Sequence, residues 1–198
     1  PSVTLYKPSA TLPVSLTGEK CALQCAHCGG RLLKKMLPWD KFKSGRTPEK
    51  APGGQGFTSC LISGGCDGQG QVPFGEHLRE LKNMKEALGL RFNFHTGLVG
   101  EKEAGLLKGL ADVVSFDFPG SDQTIRHILG LAGTVADYAA SYKALKANVP
   151  VIPHICIGID GGRLDGEQRA LELLGEIGAE GLVFIVFTPA PGTPLEHR

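Results

Sequence analysis

The sequence predicts an α/β protein, a partial (βα)6 TIM-like barrel built on a parallel sheet. Strand-like and helix-like runs alternate from end to end, the pattern of a parallel sheet with crossover helices. At 198 residues the chain falls short of the eight units and ~250 residues of a closed barrel. The unusual residues, cysteines and glycine-rich turns, also fall directly after the strands, where parallel βα folds place their chemistry.

The first strand is Leu12 to Leu16, mostly apolar, and the run LTGEKCALQCAHCGG overlaps its end. The second, Phe57 to Ile62, is followed by Ser63-Gly64-Gly65-Cys66-Asp67-Gly68. Helical period then runs from Glu76 to Leu88, where Leu78, Leu81, Met84 and Leu88 mark one helix face. The third strand, Arg91 to His95, ends on His95-Thr96-Gly97 and leads into a helix from Lys102 to Leu110. The fourth, Asp112 to Phe118, carries Ser115-Phe116-Asp117 near its end and precedes a helix from Val135 to Lys146. The fifth, Val149 to Ile157, ends on Gly158-Ile159-Asp160-Gly161-Gly162, before a helix from Gly166 to Ile177. The sixth, Leu182 to Phe187, delivers a turn from Thr188 to Pro194. All six strands bring their special residues to one rim.

Composition narrows the class. With 41% hydrophobic and 21% charged residues the chain can bury a sizeable core, so one ordered, soluble domain over residues 1–198 is expected. A net charge of +1, without a Lys/Arg stripe interleaved with aromatics, argues against a nucleic-acid partner. No apolar run approaches the ~20 residues of a membrane span. The chain begins at Pro1 without Met, which suggests a trimmed N-terminus. Six cysteines without a signal-like segment at the start argue against a disulfide framework and for a reducing, cytoplasmic compartment.

The motif that decides the chemistry is Cys21, Cys25 and Cys28, a C-x-x-x-C-x-x-C spacing. Three thiolates crowded into one turn can hold three irons of a 4Fe-4S cluster and leave the fourth without a protein ligand. Simple electron carriers use four cysteines; an open iron serves where a small molecule must bind the cluster. Zinc is the alternative, with His27 completing a Cys3His set. Zinc modules, however, usually pair two Cys clips across a short loop. The next cysteine here is Cys60, and His27 sits between two of the cysteines, where four side chains do not easily converge.

This spacing after a first strand resembles the signature of the radical S-adenosylmethionine (SAM) enzymes. The resemblance implies a partial barrel, a 4Fe-4S cluster on Cys21, Cys25 and Cys28, and SAM bound to the open iron. The Ser63-Gly64-Gly65 stretch resembles the family's Gly-Gly-Glu run, whose backbone carbonyls accept hydrogen bonds from the SAM ammonium. Cys66 stands where the Glu is common, and Asp67 is the candidate replacement carboxylate. By the same resemblance Asp117 would hold a ribose hydroxyl, and Gly158 and Ile159 would lie against adenine. The backbone of His27, rather than its ring, would contact adenine too. On residue type alone, Asp117 is a solvated strand-end carboxylate and the Gly-Gly turn a flexible loop.

Within that superfamily, three stretches resemble biotin synthase and its relatives: FNFHTGLVGEKEAGLLKGLADVVSFDF, VIPHICIGIDGGRLDGE and IVFTPAPGTPLE. That likeness implies a second, sulfur-donating iron–sulfur cluster inside the barrel, with Cys156 in a ligand position. On the second strand Ile62, not Cys60, is nearest the equivalent position, and the third strand offers Asn93 and His95. The ligand set is therefore incomplete, and Cys60, Cys66 and Cys156 stay open between a second cluster and inert buried thiols.

Short relatives include subunits of two-component lipoyl synthases, which implies sulfur insertion into an octanoyl chain carried on lysine. A carbon-skeleton or methyl-transfer enzyme of cofactor biosynthesis is the alternative within the superfamily. The implied partners are a low-potential electron donor, a small-molecule or protein-bound acyl substrate, and a partner subunit or C-terminal segment covering the sixth strand. Two other classes remain: a zinc-stabilised binding module, and a metal-independent TIM-like enzyme with His95, His154 and Asp117 as acid–base groups.

Overall fold

In the computed structural model, which describes residues 4–5, 9–48 and 56–197, the strands are β1 (Thr11–Ser15), β2 (Leu37–Pro38), β3 (Ser59–Ser63), β4 (Arg91–Phe94), β5 (Val113–Asp117), β6 (Val151–Ile157) and β7 (Val183–Val186). Pro1 lies outside the described residues. All seven strands pair in parallel, in the order β2-β1-β3-β4-β5-β6-β7. The two-residue β2 pairs on one side of β1, and from β3 onward each new strand is added on the other side, so that apart from β2 the order advances steadily. A doubly wound sheet would reverse direction once. A steadily advancing order with right-handed crossovers keeps the helices on one face, as in a barrel. The sheet does not close, so β2 and β7 are its edges. The expected six strands are all present, with ends shifted by a few residues. The seventh, β2, is two residues long and follows a 3-10 turn (Arg31–Lys35), too short to leave a periodic signal.

The helices are α1 (Trp39–Lys43), α2 (Leu78–Leu88), α3 (Glu101–Leu106), α4 (Asp122–His127), α5 (Val135–Lys146) and α6 (Glu167–Ile177). α5 opens on a capping box in which Thr134 and Asp137 satisfy each other's backbone amides. α1 and α4 were not expected. Each is under two turns, and α4 is started by Ser121, whose hydroxyl accepts from the amides of Gln123 and Thr124.

Side chains alternate across a strand, so the sheet has two chemically distinct faces. Leu12, Val14, Cys60, Ile62, Phe92, Phe94, Val114, Phe116 and Ile155 are buried in the layer between sheet and helices. There Phe116 meets Tyr138 and Tyr142 of α5 at ring-centroid distances of 6.0 and 6.2 Å. The other face carries most of the strands' polar side chains, with Pro13, Leu61, Val113 and Ile152 among them. Ser15 lies beside Ser63, and Asp117 beside His154. The Asn93 side chain donates to the Ser115 hydroxyl at 2.9 Å and accepts from the Ser115 amide at 3.1 Å. At the far edge all four residues of β7 are exposed.

Candidate metal and cofactor site

After β1, the Ser15 hydroxyl bonds the Gly18 carbonyl at 2.6 Å and turns the chain into the cysteine loop. Thr17 ties that loop to the turn after β3: its hydroxyl accepts from the Gly65 amide at 2.7 Å and donates to the Lys20 carbonyl at 2.9 Å. The Ala22 amide donates to the Cys66 carbonyl at 2.8 Å. On the other side, the Ala26 amide reaches the Ile128 carbonyl at 2.7 Å and the Cys25 thiol reaches the Leu129 carbonyl at 3.1 Å. Gly65 allows the closest approach. A Cβ there would overlap the Lys20 carbonyl oxygen and sit 2.6 Å from Cα and Cβ of Cys21.

Within the loop, the amides of Cys28 and Gly29 both return to the Cys25 carbonyl, at 3.2 and 2.8 Å. That tight turn places the sulfurs of Cys25 and Cys28 and a ring nitrogen of His27 within 4.8 Å of one another. The hydrogen bond from Cys25, helped by His27, pulls the Cys28 thiol down to about 4, and the same bond together with burial holds Cys25 above the usual thiol range. Cys21 lies outside the trio, but its charge acts on both Cys25 and Cys66.

Of the four side chains that were not expected to converge easily, the turn brings three together, Cys25, His27 and Cys28, and leaves Cys21 outside. The His27 Nδ1 is buried without a hydrogen-bond partner. Such a nitrogen is costly to leave unpaired, and beside two thiols it fits a bound metal group. Three soft donors converging in one turn suit iron–sulfur or zinc.

The Gly-Gly turn faces this loop. Among the described residues the carbonyls of Gly64 and Gly65 accept no hydrogen bond from the protein, and Ser63 is buried beneath them. Asp67, the candidate replacement carboxylate, is held by one of its two oxygens. Its Oδ1 already accepts from the amides of Gln69 and Gln71, at 2.9 and 3.0 Å, and shapes its own turn.

Asp117 stands at the mouth of the polar face, bracketed by two imidazoles. His95 Nε2 is 3.1 Å from Oδ2, and His154 Nδ1 is 3.8 Å from Oδ1. Burial opposes ionisation of Asp117, but the charge and hydrogen bond of His95, then His154 and His27, bring its carboxyl to about 2. Burial likewise opposes protonation of His95, and Asp117 outweighs it, so the His95 pKa is raised. Burial dominates at His154 and lowers its pKa. The Asp117 contribution is present above ~3.9 and lost as pH falls through its folded value; the His95 contribution is present below ~6.5 and lost as pH rises through its raised value. The pair therefore holds from about pH 4 up to the His95 titration. An Asp117→Asn variant should drop the His95 midpoint below ~6.5, read from imidazole proton shifts in NMR; an unmoved midpoint would contradict the pairing.

The other expected residues are more scattered. Gly158, at φ +75°, gives its amide to Glu167 Oε1 at 2.8 Å and its carbonyl to the Gly162 amide at 2.8 Å. Its polar groups therefore serve its own turn, with half-buried Ile159 beside it. A cleft of about 370 Å³ opens next to that turn, between Ala26, Ile128, Asp160, Arg163 and Leu195. Cys60 is buried on the helix-facing side of the sheet, its thiol pushed up to about 12 by that burial. Cys156 occupies the opposite, polar face, so the two are not brought together. Thr17 and the carbonyls of Ile128 and Leu129 were not foreseen. A Thr four residues before the first Cys is a faint signal, and the carbonyls have none, because only the tertiary fold brings them near.

No protein-family model and no curated protein sequence matches the chain. Among 21 matching chains of solved structures is the crystal structure of methylornithine synthase (PylB), at a TM-score of 0.69 and 18% identity. The alignment covers 95% of this chain and 56% of that one, so the chain spans little more than half the length of that enzyme. At this identity the likeness shows a shared fold, the parallel α/β partial barrel described above.

Proposed function

We propose that this chain is the core domain of a radical SAM enzyme. The observation that carries this is the placement of the Cys21/Cys25/Cys28 loop against the Gly64-Gly65 turn at the mouth of a polar barrel face. The fold shared with methylornithine synthase supports it. Cys21, Cys25 and Cys28 would hold a 4Fe-4S cluster, and the unpaired carbonyls of Gly64 and Gly65 would accept from the SAM ammonium. Asp117, kept ionised by His95, would accept from a ribose hydroxyl. The Gly158-Ile159 turn and the backbone near His27 would flank adenine. When bound, cluster and SAM supply reductive carbon–sulfur cleavage and a 5′-deoxyadenosyl radical able to abstract hydrogen from an unactivated C–H bond, while the protein binds, orients and excludes water.

The polar face bears on the substrate. An alkyl chain laid over Asn93, His95, Ser115, Asp117 and His154 would strip water from the Asp117–imidazole pairs and from the Asn93–Ser115 pair without offering them a hydrogen bond. A small hydrophilic substrate, suited to carbon-skeleton or methyl-transfer chemistry, is therefore favoured over an octanoyl chain. Sulfur insertion of the lipoyl or biotin type is further disfavoured by the separation of Cys60 from Cys156. A low-potential one-electron donor in a reducing, cytoplasmic compartment is required, and the exposed β7 edge supports a partner subunit there. Among the described residues no helix is long and apolar enough to cross a membrane.

The Cys25-His27-Cys28 trio also favours a second reading, a zinc-stabilised binding module. One experiment separates them. Reconstituted protein given SAM and a strong reductant should form methionine and 5′-deoxyadenosine. A colourless zinc protein that leaves SAM intact would reject the radical assignment.

A further inference from the structure

Cys66 follows the Gly-Gly pair, and the fold lays it beside the cysteine loop. Its carbonyl is held by the Ala22 amide at 2.8 Å, and the preceding Gly65 packs directly on Cys21. Its thiol is half-buried and makes no hydrogen bond among the described residues. Burial first, and then the charges of Cys21, Asp67, Asp117 and Cys28, push its thiol up to about 12. Asp67, the next polar side chain, is committed to its own turn. An inert core cysteine, like Cys60, sits among apolar side chains on the far face of the sheet. Cys66 also packs against the edge of that core, but its backbone is fastened to the cysteine loop itself.

We propose that Cys66 is a fourth, exchangeable ligand, binding the iron that Cys21, Cys25 and Cys28 leave open and yielding it to SAM. This rests on the radical SAM assignment above. The exchange is not a redox step. The bond from iron to the Cys66 sulfur breaks, and the amino nitrogen and a carboxylate oxygen of SAM bind in its place. The SAM ammonium gives up one proton on binding, and the departing thiolate takes one up. The device keeps the fourth iron from being lost while SAM is absent.

The test uses wild type, Cys66→Ala and the near-isosteric Cys66→Ser, reconstituted anaerobically without SAM to about four irons per chain. Each is then treated with a mild oxidant, and three-iron clusters are counted by EPR alongside iron content. Wild type should keep its fourth iron, while Cys66→Ala should give a several-fold larger three-iron signal. Cys66→Ser, a weaker ligand, should fall between. Equal three-iron yields in all three proteins would overturn this assignment alone. A wild type that takes up no iron–sulfur cluster would overturn it together with the assignment on which it rests.

Discussion

Changing Cys25 to alanine should abolish iron–sulfur binding and with it SAM cleavage. Cys25 is the buried member of the loop. Its carbonyl closes the turn through Cys28 and Gly29, its thiol bonds Cys28 and the Leu129 carbonyl, and its sulfur belongs to the convergent donor trio. Loss of one ligand from a three-ligand set leaves two irons without protein thiolates. The effect should exceed the roughly 100-fold typical of removing a mere outer-shell partner. Iron and deoxyadenosine should both fall to background, while the far-ultraviolet circular dichroism spectrum stays that of the folded barrel, because the loop contributes little to the core. Near-normal iron in this variant would show that the thiols do not act as a set.

The second large effect is expected at Gly65. Its backbone conformation lies outside the left-handed region, so the demand for glycine is one of space. An added methyl group would meet the Lys20 carbonyl and the Cα and Cβ of Cys21, backbone as well as side chain, none of it at the end of a flexible chain. Something must shift, and overpacking of this kind costs about 1–3 kcal/mol. The part free to move is the cysteine loop, held here by the Thr17 and Ala22 bonds. Gly65→Ala should therefore lower the melting temperature modestly but cut iron retention much more, since it parts the two halves of the site. Gly68→Ala has no neighbour within 4 Å and should leave both near wild type. If Gly65→Ala and Gly68→Ala bind iron equally, the two loops are not docked as described.

Much of this was legible in the sequence, for identifiable reasons. The β3 to β6 strands and α2, α5 and α6 are long or regular enough for periodicity to mark them, and the steady order from β1 through β3 to β7 follows from βα alternation with right-handed crossovers. The rim was legible because parallel strands all point one way: the cysteine loop, the Gly-Gly turn, His95 and Asp117 could be assigned to it before any coordinates. What escaped depends on tertiary packing. β2 and α4 are too short to show a period. That His27 joins Cys25 and Cys28 while Cys21 stays outside depends on the two returning amides that coil the loop, which residue counting does not show. That the Asp67 Oδ1 would shape the turn from Asp67 to Gln71 is likewise set by the local fold. The pairing of Asp117 with both imidazoles needs β4, β5 and β6 in register, which spacing along the chain does not state.

The central claim, an open-site cluster on Cys21, Cys25 and Cys28, is tested most directly by EPR of the reconstituted, reduced protein with and without SAM, together with iron and sulfide analysis. About four irons and four sulfides per chain, with a reduced-cluster spectrum that shifts when SAM is added, is the predicted result. Zinc in place of iron, or a cluster whose spectrum ignores SAM, would contradict it.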